Sequence, residues 1–198
     1  ACDNLLKTVR LLALLKEQRP EDYAAVAERL RIRDAEIERF AEIADKIYLP
    51  QDPEHDYHLQ DDHFHRLEPY DLRTFPVEGA LNQVWSYDRI MRTRLLRQAD
   101  VLVADLLFGD QMTPSRIRRD FEIYEPITTH DSSLSFCHHA VIAAQLRKGR
   151  KAYDYFLRTA RLDLDDLHRN AWMGVHTACL AGAWQCVVLG FGGVRWYD

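Results

Sequence analysis

The chain changes from extended backbone to helix within the stretch Tyr124-Glu125-Pro126-Ile127-Thr128-Thr129-His130-Asp131-Ser132-Ser133-Leu134-Ser135. Pro126 lacks a backbone N–H and the β-branched residues after it are stiff in a helix, so the first half favours an extended conformation. Asp131, Ser132 and Ser133 are residue types that cap helix N-termini. An apolar pattern with helical spacing follows at Leu134, Cys137, Val141, Ile142 and Leu146. This pattern predicts a helix near residues 131–147.

The start of this helix has two interpretations. Free backbone N–H groups and the helix dipole attract negative charge. Three hydroxyls (Ser132, Ser133 and Ser135) and the His130 imidazole lie beside them in the sequence, an arrangement that suits an anion. The alternative is that these residues only cap the helix, which is the commoner role for such residue types. The local sequence leaves both interpretations open.

Composition and charge narrow the class of protein. The chain has 198 residues, 47% of them hydrophobic, and a net charge of −5 with an isoelectric point near 6.0. This charge argues against a nucleic-acid partner, and these 198 residues show neither a membrane-spanning apolar run nor a signal-peptide pattern. The four cysteines (Cys2, Cys137, Cys179 and Cys186) form no CxxC pair, which is typical of reduced thiols in the cytosol. We therefore expect a cytoplasmic protein that binds neither nucleic acid nor membranes.

Helical periodicity recurs along the chain, with alternating short and long connections and no convincing pattern of strands. Apolar residues have helical spacing at Leu5, Leu6, Val9, Leu12 and Leu15, and again at Ile37, Phe40, Ala41, Ala44 and Ile47. The predicted fold class is therefore all-α, an array of helical hairpins.

Two polar stretches could suggest a metal site. In the connection between Tyr48 and Asp88, the histidines (His55, His58, His63 and His65) and their neighbouring aspartates match no standard ligand spacing. The aspartates Asp163, Asp165 and Asp166 lack the glycine and distal glutamate of a calcium loop. We therefore predict no metal, and expect these aspartates to anchor loops or pair with buried arginines.

Four stretches occur in one order along the second half of the chain. They are Gln98-Ala99-Asp100-Val101, then Tyr124–Ser135, then Thr159-Ala160-Arg161-Leu162-Asp163-Leu164-Asp165-Asp166, and finally Gly174-Val175-His176-Thr177 with Ala181-Gly182-Ala183-Trp184 and Gly190-Phe191-Gly192-Gly193. In order and spacing they resemble glycoside hydrolase family 65, the inverting α-glucoside phosphorylases. The resemblance implies that residues 1–198 form part of an (α/α)6 catalytic barrel, its C-terminal half.

The resemblance also implies which residues bind substrate. His130, Ser132 and Ser133 match the phosphate site of the family, with inorganic phosphate as co-substrate and no cofactor. Arg97 and Gln98 match the Lys-Gln pair that binds the glucosyl unit, although Arg97 stands where the family has Lys. The stretch Asn82–Ile90 resembles the maltose-phosphorylase branch, which favours maltose; trehalose, kojibiose and nigerose remain alternatives.

The implied reaction is an inverting phosphorolysis to β-glucose 1-phosphate and a free sugar. A Glu general acid protonates the leaving oxygen in this family, while phosphate attacks the opposite face of the ring. The Pro-Asp-Glu motif of that acid does not occur in these 198 residues, so we expect no catalytic residue here and no turnover by the chain alone. The expected partners are a disaccharide, phosphate, and the remainder of the enzyme or a second copy of the chain. The alternative is a non-catalytic module, descended from such an enzyme, that binds carbohydrate or phosphate.

Overall fold

The computed structural model describes residues 1–74, 81 and 84–195. Within it the chain divides into two compact units, Ala1–Leu49 and Pro50–Asp198. Helices dominate both units, which confirms the predicted all-α fold class. None of the helices in the described part of the chain is long and apolar enough to cross a membrane. Of the stretch that resembles maltose phosphorylases, Asn82 and Gln83 lie outside the described residues.

The first unit contains three helices, α1 (Cys2–Gln18), α2 (Pro20–Leu30) and α3 (Asp34–Lys46). Helix α1 packs against both of the others. Pro20 occupies the first turn of α2, where the N–H that it lacks would have no partner within the helix. Asp34, at the start of α3, accepts hydrogen bonds from Lys16 Nζ at 3.2 Å and Tyr23 Oη at 2.9 Å, so its carboxylate joins all three helices.

The second unit begins with a short antiparallel hairpin of strands β1 (Gln51–Asp52) and β2 (Tyr57–His58), in which Asp52 lies opposite Tyr57. The Asp52 carboxylate closes the turn, because Oδ1 accepts the backbone N–H groups of Glu54 at 2.9 Å and His55 at 2.7 Å. Short 3-10 turns and helix α4 (Tyr87–Met91) follow.

Five further helices build the core of this unit. They are α5 (Asp100–Phe108), α6 (Pro114–Tyr124), α7 (Ser135–Gln145), α8 (Gly149–Ala160) and α9 (Thr177–Gln185), and a π-helical turn, Cys186–Phe191, follows α9. Helix α7 is central, because it packs against all four others and against the π-helical turn. Eight of its eleven residues are buried, which explains why its sequence is apolar on more than one face.

The helix predicted near residues 131–147 begins later than its sequence indicates. It starts at Ser135, and its N-cap residue is Leu134, with no side-chain cap. Of the two interpretations of Asp131, Ser132 and Ser133, the one in which these residues only cap the helix is therefore wrong. Ser132 instead begins a turn that leads directly into α7, in which the Ser135 N–H donates to the Ser132 carbonyl at 3.0 Å and the Leu134 N–H donates to Ser132 Oγ at 3.4 Å.

The cysteines and the Leu-Asp stretch behave as their sequences predict. All four cysteines are free thiols, and Cys137, Cys179 and Cys186 are buried. Two aspartates anchor the loop before α9: Asp166 Oδ1 accepts the Ala171 N–H at 2.8 Å, and Asp163 Oδ2 accepts the N–H of His176 at 2.8 Å.

Candidate active site

Two segments that are distant in the sequence lie side by side and hold the predicted site residues. The Leu96 N–H donates to the Ile127 carbonyl at 3.0 Å, and the Thr129 N–H donates to the Leu96 carbonyl at 2.7 Å. The Ser132 N–H also approaches the Arg97 carbonyl, at 3.5 Å. This backbone pairing places the predicted glucosyl-binding residues beside the predicted phosphate-binding residues.

The side chains of the two segments also contact one another. Ser132 Oγ donates to Gln98 Oε1 at 2.6 Å, and Gln98 Nε2 donates to Asp100 Oδ1 at 2.9 Å. The hydroxyl proton of Ser132 is therefore committed to Gln98 in this arrangement. Asp100 lies in the first turn of α5, so the helix fixes the position of Gln98 and, through Gln98, of Ser132.

The other two hydroxyls of the motif have different surroundings. Ser135 is buried, and its Oγ lies 2.8 Å from His130 Nδ1. Ser133 is only half-buried, and its hydroxyl has no hydrogen-bond partner among the residues that the structure describes. Of the three hydroxyls, that of Ser133 is the one available to a ligand.

His130 is held as a neutral imidazole. Its backbone has a left-handed φ of 59°, and its ring stacks on Phe136 with 4.7 Å between the ring centroids. Burial, together with the smaller effects of neighbouring groups such as His139 and Arg158, lowers the pKa of His130 to about 2. His130 can therefore offer an anion a hydrogen bond but no positive charge.

A second buried histidine supports the first. His139 is 1% exposed, and its ring packs edge-on against His130 with 4.6 Å between centroids. His139 Nδ1 must carry the proton, because it donates to the Ser135 carbonyl at 2.8 Å. Burial lowers the pKa of His139 to about 4, although that hydrogen bond opposes the shift. The ring is thus neutral, and its Nε2 has no partner within the described residues.

Arg97 brings positive charge to this region. Its Nη1 donates to the Tyr87 hydroxyl at 2.7 Å, whereas its Nε is buried and has no hydrogen-bond partner in the described part of the chain. Asp131 Oδ2 is in the same condition. Polar atoms that are buried without partners commonly mark positions where water or a ligand binds.

His168 also belongs to this region, and sequence reasoning missed it. Burial lowers the pKa of His168, and the opposing charges of Asp131 and Arg97 both act on its ring, which therefore lies near them. His168 follows Leu167 within a turn and matches none of the quoted motifs. No signal in the local sequence identifies it.

The last two motifs of the sequence meet through the contact of one histidine with one aspartate. His176 Nδ1 lies 2.5 Å from Asp163 Oδ1, and the hydrogen bonds that His176 donates lower the pKa of Asp163. The rings of His168 and His176 are 6.5 Å apart, centroid to centroid. His168 also forms a hydrogen bond with the backbone of His130, so histidines join the loop before α9 to the predicted phosphate segment.

Comparison with known proteins identifies the family. The glycosyl hydrolase family 65 central catalytic domain matches residues 1–185. The chain belongs to this family. It is 40% identical over 184 residues to the α,α-trehalose phosphorylase of Thermoanaerobacter brockii, a match that covers 92% of this chain and 24% of that protein. It is 41% identical over 170 residues to the maltose phosphorylase of Bacillus subtilis (strain 168), covering 84% of this chain and 22% of that protein.

A solved structure supports the same assignment. A putative kojibiose phosphorylase from the human microbiome superposes with a TM-score of 0.86 at 28% identity, and covers 97% of this chain and 27% of that one. This similarity confirms the predicted fold class, helical hairpins that form part of an (α/α)6 barrel. The family 65 chain described here spans about a quarter of the length of the relatives that it matches.

Proposed function

We propose that this chain is the part of a disaccharide phosphorylase that binds the glucosyl unit and phosphate during inverting phosphorolysis of an α-glucoside. Maltose is the favoured substrate, with trehalose, kojibiose and nigerose as alternatives, and β-glucose 1-phosphate is the product. The observation that carries the proposal is the backbone pairing of residues 96–97 with 127–132, which adjoins the two sets of candidate residues. The family 65 relatives named above, all phosphorylases, support the same reaction class.

The chemistry of phosphorolysis fits the groups that line this region. Phosphate is already an anionic nucleophile, so an enzyme must position it and need not deprotonate a water molecule. The Ser133 hydroxyl and the neutral His130 can position an anion through hydrogen bonds. The Nε–H of Arg97 is buried without a partner among the described residues and can donate to a ligand. Ser132 binds Gln98 directly, so the phosphate and the sugar ring would be held against one another.

The proton for the leaving oxygen must come from a group that these residues do not supply in the pattern of the family. A general acid typically contributes about 10²–10⁴-fold to the rate. The proposal therefore holds that the 198-residue chain does not turn over substrate when it is alone. We also place the protein in the cytoplasm, where its free thiols would stay reduced.

A test of the phosphate site compares Ser133→Ala and Ser133→Glu with Ser115→Ala, a matched serine on the exposed start of α6, in the enzyme that carries this chain. Loss of one hydrogen bond to a charged ligand, about 1.5–3 kcal/mol, should raise the KM for phosphate about 10–100-fold in Ser133→Ala. Ser133→Glu places a negative charge at the site and should abolish phosphorolysis, while Ser115→Ala should behave as wild type. An unchanged KM for phosphate in Ser133→Ala would remove Ser133 from the site.

A second test concerns the chain by itself. The purified chain is incubated with phosphate and each of the four disaccharides, and glucose 1-phosphate is measured. We expect no product alone, and product once the remainder of the enzyme is co-expressed. Turnover of 1–10³ s⁻¹ by the chain alone, which is usual for enzymes, would contradict the proposal. Sugar or phosphate binding without turnover under both conditions would instead support a non-catalytic module.

A further inference from the structure

Three side chains that the proposed reaction does not use meet in the interior of the second unit. His58, at the end of β2, Asp105 of α5 and Asp120 of α6 each offer a ligand atom, and these atoms lie within 4.8 Å of one another. Asp105 is 1% exposed and Asp120 is fully buried, while the His58 side chain is 15% exposed. The three residues are distant in the sequence, so only the fold brings them together.

The two carboxylates differ in how they are satisfied. Asp120 accepts two hydrogen bonds from His58, one from the backbone N–H to Oδ1 and one from Nδ1 to Oδ2, both at 2.7 Å. Both oxygens of Asp105 are buried and accept no hydrogen bond from an N–H or hydroxyl group in the described part of the protein, although Asp120 is close enough to share a carboxyl proton with Asp105. Buried carboxylates normally accept several hydrogen bonds, and an unsatisfied one calls for a bound water or ion.

Among the described residues, no lysine or arginine forms an ion pair with Asp105 or Asp120, although the charge of Arg116 acts on Asp105 from nearby. The guanidinium of Arg116 is bound to Asp56, and that of Arg119 donates to the His55 carbonyl. No ion pair within the described residues reaches Asp105. Two adjacent carboxylates in a low-dielectric interior require a positive charge between them, which is either a proton on one of them or a cation.

We propose that His58, Asp105 and Asp120 bind one divalent transition-metal ion, for which zinc is the best fit. Magnesium and calcium prefer sites made only of oxygen ligands, whereas an imidazole with two carboxylates is a donor set that zinc accepts. At zinc–ligand distances of about 2.0–2.2 Å, the atoms of a tetrahedral site are about 3.4 Å apart. Binding through His58 Nδ1 moves the ring proton to Nε2 and replaces the hydrogen bond to Asp120 Oδ2 by the ion. The two atoms, which are 2.7 Å apart, then need to separate by less than about 1 Å.

The proposed ion has a structural role. It joins the β-hairpin to α5 and α6, and these are the helices next to the candidate active site: α5 starts two residues after Gln98, and α6 ends at Tyr124. Tyr124 already contributes a bond in the same place, since its hydroxyl donates to the His58 carbonyl at 2.7 Å. Zinc at this cluster would fix α5 and α6, which adjoin the two segments of the candidate active site, and would not contact substrate.

The first measurement is the metal content of the purified protein after chelation, zinc addition and gel filtration. We expect one zinc per chain, and at a free zinc concentration of 100 times the Kd, a rise in Tm of about 5–10 °C. Asp105→Asn and His58→Gln should lose both effects. His65→Gln is the matched control, because His65 is an exposed histidine that pairs with another carboxylate, Asp52, and this variant should keep both.

Three outcomes would overturn the proposal. One is that the wild-type protein retains no zinc and the Asp105→Asn variant is as stable as wild type. The cluster would then be held by a proton on Asp105, because an asparagine amide can donate the same hydrogen bond as a protonated carboxyl. Another is zinc that is kept in Asp105→Asn and lost in His65→Gln, because the ion then lies on surface histidines. If the variants do not fold, the spectrum of Co²⁺ in the wild-type protein decides: tetrahedral d–d bands support the site, and an octahedral spectrum refutes it.

Discussion

Replacing Gly182 with alanine tests how closely α9 approaches α7. Gly182 is buried, and a Cβ added there would lie 2.7 Å from both the Cβ and the Sγ of Cys137. Real Cβ atoms do not approach so closely, and Cys137 Cβ is fixed to the α7 backbone, so the helices must separate. Overpacking of this kind costs about 1–3 kcal/mol of unfolding free energy. Alanine returns about 1 kcal/mol through its higher helix propensity.

The matched control is Gly149→Ala in the first turn of α8, where an added Cβ meets nothing within 4 Å. This variant also replaces a helical glycine by alanine but has no clash, so the difference between the two variants isolates the packing cost. At about 2–4 °C per kcal/mol, Gly182→Ala should melt about 2–12 °C below Gly149→Ala in differential scanning calorimetry. In the Gly182→Ala background, Cys137→Gly should restore part of the loss, while Cys137→Ala, which keeps the Cβ, should restore less. Equal Tm values for Gly182→Ala and Gly149→Ala would refute the close approach.

Two further predictions concern titratable groups beside the candidate active site. The folded-state pKa values of His130 and His139 are lowered to about 2 and about 4. Between pH 6.5 and 4, therefore, only the unfolded chain binds protons at these histidines. The free energy of unfolding should decrease as the pH is lowered through this range, by at most about 1.4 kcal/mol per pH unit for each histidine. Urea unfolding at stepped pH should show this slope, and His139→Gln should reduce it; an equal slope in the variant would be inconsistent with a neutral His139. Burial alone would raise the pKa of Glu125, but hydrogen bonds from Lys151 at 2.6 Å and Tyr155 at 2.7 Å outweigh burial and lower the pKa. The Glu125 carboxylate therefore stabilises the folded protein at pH values above its unfolded pKa. This stabilisation is lost as the pH falls through the folded pKa. Glu125→Gln should cost about 1–2 kcal/mol at neutral pH, and its unfolding free energy should converge with that of wild type in acid; a constant difference at all pH values would contradict this.

The sequence by itself determined the class of fold and the family. Helical spacing of apolar residues is a local property, because each helix must turn one face to the core, and it predicted an all-α protein. Family membership followed from four motifs in one order, which the match over residues 1–185 confirms. The reduced state of the buried cysteines and the loop-anchoring role of Asp163 and Asp166 were also predicted from the chain.

The start of α7 shows where local reasoning failed. Ser132 and Ser133 are good capping residues, but capping propensity considers only the residues of the helix that follows. In the fold, Ser132 Oγ binds Gln98, a residue that is distant in the sequence, and the helix begins at Ser135. Ser132 Oγ accepts only a long local bond, from the Leu134 N–H at 3.4 Å, and its short bond is the tertiary one to Gln98.

Only the tertiary structure decided the charge states and the groupings of distant residues. Whether His130 is charged depends on how far its ring is removed from water, and that depends on the packing of Phe136 and His139 around it. The cluster of His58, Asp105 and Asp120 likewise combines residues of a hairpin and two helices, which no spacing in the sequence reveals. Burial and the distances between charges set electrostatic energies, and the fold fixes both.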